Sequence, residues 1–389
     1  MTRKEFIKLC ILLGISMPFQ PMLAAGESTK INTPTKFKET VLIIGAGAAG
    51  LTAGYLLHQQ GINFQILEAS STYGGRMKTN KDFVDFPVPL GAEWLHVKRG
   101  IFNEIVNDPS VQVTIQTKKY DANKDYGLYK GKEVTVKDLG LTIDQKFINS
   151  SWLGFFEQYV IPSIKNKITF NEIVESIDYS GEKAIVETNN REYTTDKIIL
   201  TIPVKMLQSG SITFTPPLPA DKLKALSKIT VWDGFKAFIE FSENFYPTAV
   251  DFKTKPRKAG QKMYYDAAYS QKTTRHVLGL FTVGSGTLPY RNLPDNQLIT
   301  YILKELDELF DGKATKSYIK HTTQNWNNEP FIQGAYINDY ENWRRIRTLG
   351  QSVNNQLFFA GSAYTNGNDW GSVHTASRSA IRAVNEIVQ

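Results

Sequence analysis

Val41-Leu42-Ile43-Ile44-Gly45-Ala46-Gly47-Ala48-Ala49-Gly50-Leu51 joins a run of branched apolar residues to a glycine-rich turn. Four such residues in succession suit a strand covered on both faces of a parallel sheet. The glycines fit G-x-G-x-x-G, in which Gly45 permits the tight turn, Gly47 lets backbone approach a pyrophosphate and Gly50 allows close helix–strand contact. A helical pattern follows with Leu51, Tyr55, Leu56 and Leu57, stops at Gly61-Ile62-Asn63, and gives way to a second strand, Phe64-Gln65-Ile66-Leu67. Glu68 closes that strand, where an acid accepts hydrogen bonds from a ribose. The unit predicts a βαβ dinucleotide site whose contacts include Gly45, Gly47, Ala49, Gly50, Glu68 and Ala69, with the helix N-terminus facing the phosphates.

Outward from this unit, 389 residues exceed what one core usually serves, so two lobes are expected. Hydrophobic residues at 41% and charged residues at 21% exclude a disordered chain. The lone cysteine, Cys10, excludes an internal disulfide and a cysteine metal site. Residues 1–26 read as an export signal: Arg3, Lys4 and Lys8 precede an apolar run from Leu9 to Phe19, and Ala24-Ala25-Gly26 offers a small-residue exit. The run is too short and too interrupted by Pro18 and Pro21 for a membrane span. Its Thr2-Arg3-Lys4-Glu5-Phe6-Ile7-Lys8 opening resembles a twin-arginine signal with the second arginine replaced, and the expected location is the bacterial periplasm. Losing Arg3, Lys4, Lys8 and Glu5 would lower the net charge of +7 by two, and the remaining cations are scattered among acids. A nucleic-acid partner is therefore not expected. Residues 27–39 read as a linker.

Gly74-Gly75-Arg76 follows Glu68, Leu90-Gly91-Ala92-Glu93-Trp94-Leu95-His96 comes next, and Gly234-Phe235-Lys236-Ala237-Phe238 sets a lysine in an apolar strand. Trp326-x-x-x-Pro330-x-x-x-Gly334-Ala335-Tyr336 and the ending Phe359-Ala360-Gly361-Ser362 with Trp370-Gly371-Ser372-Val373 complete the set. In these segments the chain resembles the flavin-containing amine oxidase family from Val41 to Val388. The resemblance implies an α/β (α+β overall) fold with a discontinuous Rossmann-like FAD-binding domain (40–97, 168–210 and 345–389). A substrate domain of mixed sheet and helices (98–167 and 211–344) accompanies it. It also implies that Gly75, Arg76, Gly91, Ala92, Glu93, Trp94, Val174, Gly361, Ser362, Ser372 and Val373 line FAD.

Three residues are implied to carry the chemistry: Lys236 near the flavin N5, His96 at the substrate cavity and Tyr336 as one wall of an aromatic cage. Ala335 stands where monoamine oxidases attach FAD through cysteine, so a non-covalent flavin is expected. Ser362 replaces a common glutamate and Ser372 the second cage tyrosine, for which Trp370 is a candidate substitute. The implied reaction is hydride transfer from a small-molecule amine to FAD, imine hydrolysis, and reoxidation by oxygen to hydrogen peroxide. An L-amino-acid oxidase using Arg99 or Arg344 as a carboxylate clamp, a flavin desaturase and a non-catalytic FAD-binding protein are the alternatives. No H-E-x-x-H, C-x-x-C or G-x-S-x-G occurs, so no metal is expected.

Overall fold

Val41–Ile44 is buried at every position in the computed structural model, which describes residues 38–121, 126–129, 134–136, 144–252 and 259–389. The expected export signal and all but the last two residues of the expected linker lie outside the described residues. The strand is central in a five-stranded parallel sheet. Its order is Ile168–Phe170, Phe64–Glu68, Val41–Ile44, Lys197–Leu200 and Leu357–Phe359. Strand alternation sends Val41 and Ile43 to one apolar core, shared with the helices Ala48–Gln59 and Val373–Val388. Leu42 and Ile44 face a second core with Ile177, Val186 and Phe359, beneath a four-stranded sheet that includes Val174–Asp178. Coverage on both faces explains why all four residues are apolar.

The second lobe is built on a seven-stranded sheet. Its order is Tyr318–Asn325, Gly234–Phe241, His276–Gly284, Gly260–Asp266, Ala249–Phe252, Tyr126–Tyr129 and Val134–Val136. Phe235, Ala237 and Ile239 pack beneath the helix Asp295–Leu309 through Leu298, Ile302 and Leu306. Alternation then turns Lys236, Phe238 and Glu240 to the opposite face. Among the described residues, no helix is long and apolar enough to cross a membrane.

One expected boundary changes. The stretch 98–167, read as part of the substrate lobe, is divided between the two lobes. The helices Gly100–Val106 and Trp152–Tyr159 bury Phe102, Trp152, Phe155 and Phe156 in the same core as the glycine-loop helix. Among the described residues of the stretch, Tyr126–Tyr129 and Val134–Val136 are the strands that join the large sheet. An aromatic helical face marks a buried side without marking which core covers it, and here it is the dinucleotide lobe that supplies the cover.

Candidate active site

Gly45 adopts φ +105°, and a Cβ there would meet Thr201 Oγ1 at 2.6 Å. At Gly50 a Cβ would lie 1.9 Å from Gly45 O, whereas at Gly47 nothing stands within 4 Å. The turn is thus tight where it touches the sheet and open at Gly47, where a phosphate would approach. Glu68 is buried and accepts from Ala46 N at 2.6 Å, from Ser70 N at 3.0 Å and from the Ser70 hydroxyl. An ionised carboxylate has roughly four lone-pair positions, so one remains for a ribose hydroxyl. The Val174 strand is brought beside it, because Glu172 N donates to Glu68 O at 3.0 Å.

The other motifs converge on this turn. Gly74 N donates to Ala46 O at 2.9 Å, and Ala92 N to Arg76 O at 2.9 Å. A Cβ on Gly91 would lie 1.9 Å from Arg76 O, which leaves glycine as the residue that fits. Trp326 Nε1 donates to Leu90 O at 3.1 Å. The Arg76 guanidinium donates to Ala335 O and, at 3.3 Å, to Ser362 Oγ. Burial lowers its pKa from the ordinary arginine value, yet a guanidinium stays charged. Among the described residues no carboxylate lies within ion-pair distance of it, and it lines a cleft with Thr201, Gly361, Ser362 and Tyr364. An uncompensated cation beside an open glycine turn and a ribose-accepting acid fits the diphosphate of FAD. Ser362, at the family's glutamate position, tethers Arg76.

The C-terminal helix also points its N-terminus here. Ser372 caps it in a capping box with Thr375, whose hydroxyl lies 3.1 Å from Ser372 N, and Val373 is its first residue. Helix capping therefore accounts for serine at the expected tyrosine position. Trp370 donates its indole N–H to Asn338 O at 3.1 Å and packs against the core beneath the parallel sheet. Gly371, at φ +85°, is the residue close to the Tyr336 ring, since a Cβ there would lie 3.3 Å from Tyr336 Cδ2. The aromatic neighbour of Tyr336 is Trp232, edge-on at 5.8 Å between centroids. No sequence motif marked Trp232.

Lys236 is 3% exposed, and its ammonium donates to Glu93 Oε2 at 2.7 Å and Pro89 O at 3.1 Å. Lys146, 3% exposed and also unmarked by any motif, lies 3.3 Å from Glu93 Oε1 and donates to the carbonyls of Asp266 and Ala267. The Tyr265 hydroxyl donates to Glu93 Oε2, and the Trp94 ring stands 5.2 Å from Lys236 Nζ. Burial opposes ionisation of Glu93, but the two ammonium groups outweigh it and hold its carboxyl below the usual range. Burial pushes Lys236 below the usual lysine value, with Glu93 opposing and Lys146 reinforcing the fall. The lysine–glutamate–lysine set itself holds two cations and one anion, with the rings of Trp94, Phe238 and Tyr265 lying 5.2, 5.4 and 5.8 Å from Lys236 Nζ.

Glu93, read from sequence as a flavin contact, is thus first a partner of two lysines. His96 is exposed, with Nδ1 2.8 Å from Asp144 Oδ1, and is not one of the buried group around Lys236. Two residues beyond Trp94 the short strand has ended, and the side chain reaches solvent instead of the interior. Arg99 and Arg344 are exposed as well; the first donates to Ile115 O and the second stacks 5.0 Å over Trp343. Neither is brought to Lys236.

A Rossmann-like parallel sheet with a glycine turn, joined to a large mixed sheet that offers a buried lysine, defines a two-lobed flavoprotein fold. The chain belongs to the flavin containing amine oxidoreductase family, whose model matches residues 156–388, and a model of the NAD(P)-binding Rossmann-like domain matches residues 43–107. It is similar to lysine-specific histone demethylase 1B of Mus musculus, at 24% identity across 100% of this chain and 56% of that protein. Probable polyamine oxidase 4 of Arabidopsis thaliana is 22% identical across 88% of this chain and 86% of its own length. A wild-type putrescine oxidase structure bound to putrescine shares the fold, with TM-score 0.72, 14% identity and 90% and 99% of the two chains covered. The chain spans about half the length of the animal histone demethylases that it matches.

Proposed function

We propose that this protein oxidises a small-molecule amine with non-covalently bound FAD. The observation that carries the reading is Lys236, buried on the inner sheet face beside the converged dinucleotide motifs and ion-paired to Glu93. Bound FAD would supply the hydride acceptor and, with oxygen, the route to hydrogen peroxide. The protein's own part is positioning and charge. Gly47, Arg76, Glu68 and the N-termini of the two helices would hold the dinucleotide. Ala335, 8% exposed and placing a methyl group where a thiol would be needed, supports a non-covalent flavin. An ammonium has three donors, and two on Lys236 are taken by Glu93 and Pro89, which leaves one for a water beside the flavin. Tyr336 and Trp232 offer an aromatic corner to the amine.

The carboxylate clamp of an amino-acid oxidase gains no support, because Arg99 and Arg344 are engaged elsewhere. Export to the periplasm, argued from residues 1–26, is part of the same proposal and would be read from cell fractionation. The test of function is an anaerobic panel of amines and amino acids added to the FAD-loaded protein. Bleaching of the visible flavin band by an amine, followed by peroxide on admitting air, is the expected result. A panel in which nothing bleaches the band while FAD stays bound overturns the reading.

A further inference from the structure

Lys146 lies outside every motif described above, yet it shares a buried carboxylate with Lys236. Its strand, Gln145–Phe147, pairs with Trp94–Leu95 in register Lys146 to Trp94, so the backbone delivers it next to Glu93. Two of its donors are fixed on Asp266 O at 3.2 Å and Ala267 O at 2.5 Å, and Glu93 Oε1 stands 3.3 Å away, within ion-pair reach but with no hydrogen bond to it. Lys236 takes the other oxygen at 2.7 Å. The three groups are shielded from bulk solvent, since the side chains of Glu93, Lys146 and Lys236 are 1%, 4% and 4% exposed. At such burial a like charge across a shared carboxylate acts strongly on its neighbour.

We propose that Lys146, acting through Glu93, is a positioning residue that sets the charge state of Lys236 toward the cofactor. It draws on the same carboxylate, so that Glu93 does not neutralise Lys236 outright and the set retains a net positive charge. The inference rests on the proposed function only in placing Lys236 beside bound flavin. The groups facing the set are Tyr265, whose hydroxyl donates to Glu93, Tyr120, which accepts from Trp94 Nε1, and Asp266 with His276 behind Lys146. Their acids and bases are unchanged in the variants below, so differences report the lysine–glutamate–lysine set.

The experiment follows the flavin midpoint potential of the holoenzyme against pH, with chemical reduction by dithionite and a reference dye, so that no amine is needed. A titrating cation beside the flavin puts a break in that line, and Lys236→Met should remove it. Lys146→Met frees Glu93 for Lys236 alone and should move the break up by about one pH unit or more. Glu93→Gln leaves two buried cations facing each other and should move it down by a similar amount. Lys146→Arg, which keeps the charge, should restore the wild-type position. A break that stays put in Lys146→Met, shifts of the same sign in both variants, or a wild-type line without a break dependent on Lys236 overturns the proposal. Where Lys146→Met fails to retain FAD, Lys146→Gln replaces it, and flavin absorbance verifies loading. Failure of the amine panel would leave these shifts intact, so the two outcomes separate.

Discussion

Arg76 shows how one residue's surroundings imply a ligand. Its guanidinium bonds to a carbonyl and a serine hydroxyl and, among the described residues, has no carboxylate partner, although it lies in a cleft that lowers its pKa by burial. A phosphate would complete it with charge-assisted bonds worth about 1.5–3 kcal/mol, so Arg76→Met should weaken FAD binding roughly 10- to 100-fold. Flavin retention on ultrafiltration measures this, and unchanged retention would place the diphosphate elsewhere. Gly75-Arg76 and Gly91 were legible in sequence because glycine spacing is a local property. The pairing of Glu93 with two lysines was not, because residue 93, just ahead of the strand Trp94–Leu95, meets residues 146 and 236 from two other strands.

At the scale of elements, the helix Trp343–Gly350 ends on a buried lysine from another helix. Lys222 Nζ donates to the carbonyls of Thr348, Leu349 and Gln351 at 2.9, 2.8 and 2.8 Å, and stands 4.0 Å over the Phe359 ring. These are terminal carbonyls of the kind that lack helical partners. Lys222→Met leaves them unpaired and should destabilise the protein by about 2–3 kcal/mol in denaturant unfolding. Burial lowers the Lys222 pKa to about 7, against an ordinary value of 10.5, so above that pH the native group is an amine that donates to two of the three carbonyls. Between those values the unfolded chain holds more protons than the native one, so this group's contribution to stability rises with pH and is lost as pH falls toward 7. The stability gap between wild type and Lys222→Met should therefore widen from pH 7 to about 9. A gap independent of pH would show that Lys222 titrates at its ordinary value. The C-terminal helix adds a second lesson: Ser372 followed by Thr375 is a readable cap, and the cap explains a departure that comparison with a cage tyrosine alone does not.

For the whole molecule, the cleft is assembled from distant parts of the chain. Arg76 meets Ala335 and Ser362, Trp326 meets Leu90, and Thr201 meets Gly45. A ligand that bridges such parts binds only the folded chain, so FAD at about a thousand times its dissociation constant should add roughly 4 kcal/mol. Removing FAD is expected to lower the melting temperature and to make it depend on added FAD concentration; identical melting curves with and without FAD would refute the bridging role. The sequence by itself determined the glycine turn, the acid that closes its second strand, the C-terminal helix and the two-lobed class, because each is written in residues at short and regular spacing. Only the tertiary structure decided that the aromatic helix Trp152–Tyr159 serves the dinucleotide lobe, that His96 faces solvent, and that Lys146 shares Glu93 with Lys236. Those outcomes depend on which apolar faces cover one another and which buried charges find partners, and both are settled by contacts between residues far apart in the chain.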